Sequence, residues 1–146
     1  MDCKTCFFIG AHYASNDIIK PLTAVIEQHI TEYGVTDFTV GHYGKFDSIV
    51  QDVLSDLKKK YPHIVLTLLL PYQPVHQQVF VKEGFAPVYP EGLENVPKRY
   101  AIVQANKNQI NKSDYLIAHP GYGNSRNFTE YAQRREKKGL IKVTLL

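Results

Sequence analysis

The chain is poor in the features that mark membrane, secreted or metal-stapled proteins. No apolar run in its 146 residues approaches the roughly 20 residues of a bilayer span. The opening Met-Asp-Cys-Lys-Thr-Cys carries an acidic residue and turns directly into a strand-like run. That pattern predicts no secretory leader, no membrane partner and a cytoplasmic location. Cysteine is scarce, at Cys3 and Cys6 alone, and without a leader the pair predicts no structural disulfide. Redox CxxC pairs follow a strand, at a helix N-terminus, whereas these two lead into the strand-like Cys6-Phe7-Phe8-Ile9. A zinc site needs two further ligands, and the six histidines show no ligand spacing. No metal or cofactor is therefore expected. Sequons at Asn111 and Asn127 are without consequence in a cytoplasmic protein. Charge of one sign is also lacking. Seventeen Lys and Arg against fourteen Asp and Glu leave a net +3, too little to predict a nucleic-acid partner without a concentrated patch.

What is present is ordinary globular composition, 44% hydrophobic and 21% charged. There is no internal repeat, low-complexity stretch or linker, so one domain is expected over 1–146. Short apolar runs alternate with amphipathic ones. Thr5 to Ile9 reads as a strand ending at Gly10. A helix is predicted from about Asn16 to Tyr33, with Pro21 in its first turn and Gly34 as its stop. Asp37 to Val40 is a second strand, closed by Gly41. Phe46, Ile49, Val50, Val53, Leu54 and Leu57 recur at helical spacing and end in Lys58-Lys59-Lys60, where positive charge suits the negative helix end. Ile64 to Leu70 is the most apolar strand, as expected of one covered on both faces. The stretch from Pro71 to Pro97 holds five of the eight prolines and predicts a short helix around Val75 to Lys82. Pro97 opens a helix through Tyr100, Ile102, Val103 and Ile110. Asp114 to His119 is a strand, Ser125 to Lys138 a helix stopped by Gly139, and Leu140 to Leu146 the last strand. Strands alternating with helices predict an α/β fold, a Rossmann-like three-layer sandwich around a mainly parallel sheet.

In such sheets ligands bind beyond the carboxyl ends of the strands. Three predicted strands end there in small or glycine-containing turns: Gly10-Ala11-His12, Gly41-His42-Tyr43-Gly44 and Pro120-Gly121-Tyr122-Gly123-Asn124-Ser125. Glycine admits close backbone approach, and a helix N-terminus adds partial positive charge, so the three together predict an anion site suited to phosphate. Neither standard phosphate fingerprint is present. The Gly41 to Lys45 turn is too short for a P-loop, and Phe46 stands where Ser or Thr is needed. The first strand lacks G-x-G-x-x-G.

The ordered residues Cys-Phe-Phe-Ile-Gly-Ala-His, then Gly41-His-Tyr-Gly-Lys-Phe-Asp47, resemble the SLOG superfamily, in particular its small DUF1273/YpsA-like branch. So do Pro97-Lys-Arg-Tyr-Ala-Ile with Asn106, Ser113-Asp114-Tyr-Leu-Ile-Ala, and the glycine turn leading into Thr129-Glu130-Tyr131-Ala132. The resemblance covers nearly the whole chain in order. It implies a Rossmann-like fold with a nucleotide or nucleotide-derived ligand, and it fixes no reaction. LOG-type phosphoribohydrolases of that superfamily carry Pro-Gly-Gly-x-Gly-Thr-x-x-Glu. Here Pro120-Gly121 lacks the second adjacent glycine, Asn124 stands where Thr would follow Gly123, and Glu130 comes about one helical turn late. Ala11 is inserted before His12, and Tyr13 replaces an arginine usual in the small branch.

Each candidate has a bland alternative. Glu130 is either a catalytic acid or a solvent-facing carboxylate. Asp47 serves the helix dipole, a ribose hydroxyl or a ligand loop. His12 and His42 contact phosphate, move a proton or are simply solvated. Arg99 grips phosphate or pairs on the surface. Asn106 touches ligand or braces the glycine turn, and Tyr122 stacks on a base or meets another subunit. Asn124 or Ser125 caps its helix while leaving N–H groups for phosphate. The leading expectation is a stand-alone binding domain for a nucleotide-derived small molecule. A LOG-like nucleoside-monophosphate hydrolase is the alternative, and a DprA-like nucleic-acid module is less favoured. A homo-oligomer, most simply a homodimer, is expected from the resemblance.

Overall fold

The structure, a computed structural model, describes residues 3–71, 80–90, 92–93 and 95–146. Its strands are β1 (Lys4–Gly10), β2 (Val35–Val40), β3 (Val65–Leu69), β4 (Phe85–Val88), β5 (Tyr115–His119) and β6 (Lys142–Leu145). Its α-helices are α1 (Ile19–Thr31), α2 (Lys45–Lys60), α3 (Lys98–Lys112) and α4 (Asn124–Lys137). The strands form one sheet in the order β4-β3-β2-β1-β5-β6, and every neighbouring pair is parallel. The fold is thus α/β, with a wholly parallel sheet where a mainly parallel one was expected. The chain steps outward from β1 to β4 on one side. It then returns through α3 to place β5 on the other side of β1, in the register Cys6↔Tyr115 to Gly10↔His119. The strand order therefore reverses between β1 and β5, the place where open α/β sheets carry a crevice.

The central strand shows why both faces are covered. Side chains alternate along a strand. Cys6 and Phe8 enter the core beneath α1 and α2, with Leu22, Ile26, Val50 and Leu54. Phe7 and Ile9 enter the opposite core beneath α3 and α4, with Ala101, Ala105, Phe128 and Ala132. Each buried Phe contributes about 1.5–3 kcal/mol relative to exposure, so β1 fastens both layers. Gly10 closes that strand. A Cβ there would run into the Phe46 ring, so glycine lets α2 press its first turn onto the strand end.

Several expectations are adjusted. The helix over 16–33 divides into a 3-10 turn at Asn16–Ile18, whose Asp17 N–H donates to Ser15 Oγ (3.3 Å), followed by α1. Pro21 sits in the first turn of α1, where its missing N–H has no intrahelical acceptor to lose. In α3 the buried face is Ala101, Ala105, Asn106 and Ile110, while Tyr100 points outward. Small residues let this helix lie close to the sheet, and the larger Tyr100 and Val103 are displaced from that face. β4 was not expected at all. It contains Pro87, which an edge strand tolerates because one side of its backbone needs no ladder partner. Most of the helix expected around Val75 to Lys82 lies outside the described residues; Phe80, Val81 and Lys82 are not helical. Among the described residues no helix is long and apolar enough to cross a membrane.

Candidate functional site

The three turns do meet at the carboxyl edge of the sheet. A cleft of about 250 Å³ opens there, over the ends of β1 and β2 and between α3 and the first turns of α2 and α4. Its lining includes Gly10, His12, Gly41, Asp47, Asn106, Tyr122, Gly123, Asn124 and Ser125. Ile9, Ile102 and Phe128 supply an apolar wall, and Tyr43 also borders the space. A pocket of that make-up, mostly apolar with a few converging polar groups, is the usual form of a small-molecule site.

The turns hold one another in place through their backbones. Ala11 N–H donates to His119 O (3.0 Å), tying β1 to β5 as they leave the sheet, and Lys45 N–H donates to His12 O (2.9 Å). Gly121 N–H donates to Ser125 Oγ (3.0 Å), and Tyr122 N–H to Tyr13 Oη (3.2 Å). A Cβ at Gly121 would strike the Tyr13 hydroxyl and the Ala11 methyl. Glycine at this position thus serves the approach of the first turn to the last. These four donors are committed within the protein.

The amino end of α4 is different. Gly123 occupies the cap position with φ +72° and offers no side chain to the helix. The first turn closes with Asn127 N–H on Gly123 O (3.1 Å). The amides of Asn124, Ser125 and Arg126 precede that bond and have no intrahelical acceptor. They add to the positive end of the helix dipole. Ser125 Oγ is turned to Gly121, while its carbonyl accepts from Thr129 Oγ1 (2.7 Å).

Two acceptors face these donors across the space. Asp47 lies in the first turn of α2, half-buried, and its Oδ2 accepts from Tyr43 N–H (3.0 Å). Burial pushes its carboxyl up to about 6, and the Tyr43 amide only partly offsets that desolvation. Asn106 is buried in α3, and its Nδ2 donates to Ile102 O (2.7 Å). That bond leaves its carboxamide oxygen for the cleft.

The remaining candidates lie elsewhere. Ala11 is buried and makes its backbone bond beside the cleft. Gly121 sits behind Tyr13. His42 and Gly44 border a neighbouring hollow on the far side of Asp47, with Ser48, Gln51 and Lys82. Arg99 is exposed, with its guanidinium 5.0 Å from the Tyr100 ring centre and Nη2 on Tyr100 Oη (3.2 Å), away from the cleft. Glu130 lies outside the cleft as well, where its carboxylate accepts from Arg126 Nε (3.1 Å). Among the described residues no group of three or more His, Cys, Asp or Glu gathers as a metal site. Sequence reasoning overlooked Ile102, Phe128 and Tyr43. Ile102 stands four residues before Asn106, and Phe128 four after Asn124. A helical face running from the polar candidates would have reached both.

No known family model matches the chain, and comparison with curated proteins finds no match.

Proposed function

We propose that the protein binds a nucleotide or nucleotide-derived ligand in this cleft, as a SLOG-like domain of the DUF1273/YpsA-like type. The observation that carries the reading is the uncapped amino end of α4 facing Asp47 and Asn106 across an apolar wall at the β1–β5 reversal. Helix N-terminal amides favour phosphate by hydrogen bonding and by the dipole. Acceptors such as the Asp47 carboxylate and the Asn106 oxygen favour hydroxyl and amino donors, which a ribose and a base carry. Ile102 and Phe128 suit the apolar face of a base, and the exposed Tyr122 ring stands at the rim to stack on it. The resemblance of the ordered turns to SLOG proteins supports the same ligand class.

The test is isothermal titration calorimetry against nucleoside 5′-monophosphates, ADP-ribose and cyclic nucleotides. Binding of at least one, weakened about tenfold or more in Asp47→Asn, is the expected result. Absence of heat from all of them overturns the reading.

A second reading, hydrolysis of the N-glycosidic bond of a nucleoside monophosphate, draws on one observation. A cleft carboxyl poised near pH 6 suits a general acid that protonates a leaving base. Glu130, engaged with Arg126 outside the cleft, is not needed for it. Release of free base by the wild type, lost in Asp47→Asn and kept in Glu130→Gln, is its expected signature.

A further inference from the structure

The cleft does not end at α4. A groove of about 330 Å³ runs between α3 and α4 and shares Asn124 and Phe128 with it. Along the groove, Lys107 Nζ stands 5.5 Å from the centre of the Tyr131 ring and Arg134 Cζ 5.9 Å from it. The Tyr131 hydroxyl donates to Asn111 Oδ1 (2.6 Å), which anchors the ring. The one carboxylate lining the groove, Glu130, is engaged by Arg126. Among the described residues no ion pair occupies Lys107 or Arg134. Two unneutralised cations are thus held beside one ring, next to a cleft whose volume of about 250 Å³ falls below the usual range for small-molecule sites.

We infer that this groove is a second subsite continuous with the cleft, and that the full ligand is a dinucleotide: two nucleoside units joined through phosphate, free or as the 5′ end of a single strand. The inference rests on the nucleotide reading of the cleft. The first unit occupies the cleft, with its 5′-phosphate on the α4 amides. The joining phosphate passes Asn124 to Lys107 and Arg134, and the second unit lies over Val103 and Phe128, with Asn127 able to donate to it. A net charge of +3 does not reveal a local patch whose cations are distant in sequence. Folding brings Lys107 and Arg134 to one ring in one groove, and α3 carries Lys98, Arg99, Lys107 and Lys112 with no carboxylate.

Calorimetry with adenosine 5′-monophosphate, ADP and the 5′-phosphorylated dinucleotide pApA tests it. The expected result is pApA binding at least tenfold tighter than the monophosphate, with ADP gaining less. That ratio falls towards one in the double variant Lys107→Ala/Arg134→Ala, whose exposed sites leave the thermal midpoint near that of the wild type. The log–log salt dependence of pApA is steeper than that of the monophosphate by about 0.7, the value for one further phosphate on a single strand. A longer 5′-phosphorylated strand that binds tighter than pApA identifies a strand end, and equal affinity identifies the free dinucleotide. A wild-type ratio near one, a ratio unchanged in the double variant, or an ADP gain matching that of pApA overturns the second subsite while the cleft reading stands. If the monophosphate and pApA both fail to bind, the cleft reading falls and the groove inference with it.

Discussion

At the scale of single residues, two titratable groups, the half-buried Asp47 and the buried His29, respond to acid in opposite directions. Asp47 has a folded pKa of about 6, raised by burial, so the unfolded chain gives up that proton at lower pH than the native one. Stability attributable to Asp47 is therefore greatest below the unfolded value near 4 and falls as pH rises towards 6. The shift corresponds to at most about 3 kcal/mol, and partial contact with solvent reduces it to about 1–2 kcal/mol. Asp47→Asn keeps an acceptor for the Tyr43 amide and should be more stable than the wild type by that amount at pH 8. Thermal denaturation should show the gap closing between pH 6 and pH 4. His29 runs the other way. It is buried against Tyr33 and Tyr115, its Nδ1 lies 2.7 Å from Val25 O, and burial lowers its pKa. The unfolded chain takes up a proton below about pH 6.5 that the folded one resists, so stability is lost as pH falls through that range. His29→Phe should flatten this acid limb, whereas an unchanged slope would place the responsible group elsewhere. Asp47 was recognisable in the sequence because it begins a helix after a glycine turn. His29 was not, since a histidine within an amphipathic helix carries no mark of whether it faces water or two tyrosines.

At the scale of elements, α4 separates structural from ligand-binding roles. A carboxylate in the first turn of a helix stabilises it by about 0.3–1 kcal/mol through the dipole. In Asn124→Asp that charge would occupy the place proposed for phosphate. Stability should rise slightly while affinity for a nucleoside monophosphate falls about tenfold or more, read by denaturation and calorimetry on one preparation. A rise in stability with affinity unchanged would detach the helix end from the ligand. The elements themselves were largely legible. Apolar runs of four to seven residues and clear helical periods in α1, α2 and α4 located five of the six strands and the four helices among the described residues. What escaped has physical reasons. β4 has only Phe85 buried and contains a proline, so its pairing with β3, from Leu66↔Phe85 to Leu69↔Val88, is decided by tertiary contact. α3 buries alanines and an asparagine, which leave almost no hydrophobic period, while its large Tyr100 faces outward. The polar half of the cleft was visible as glycine turns. Its apolar wall was hidden because Ile102 and Phe128 look like any other packing residues.

At the scale of the whole molecule, the single sheet couples the two helical layers. Phe8 and Phe7 are neighbours on β1, yet the first packs under α1 and α2 and the second under α3 and α4. If the chain unfolds as one unit, a cavity on either face must weaken both. Phe7→Ala and Phe8→Ala should each cost about 3–5 kcal/mol, a large part of the 5–15 kcal/mol typical of a domain. Denaturation of each variant should remain one transition, with the same midpoint from hydrogen exchange in α2 and in α4. The candidate site adds a second consequence, because it is assembled from both layers: Asp47 from α2, Asn106 from α3 and the amides of α4. A ligand that touches all three binds only the state in which both cores are intact, and so should raise the single midpoint according to its concentration relative to Kd. Two separable transitions, with ligand shifting only the one reported by α4, would instead mean that the layers fold independently and that the cleft belongs to one of them.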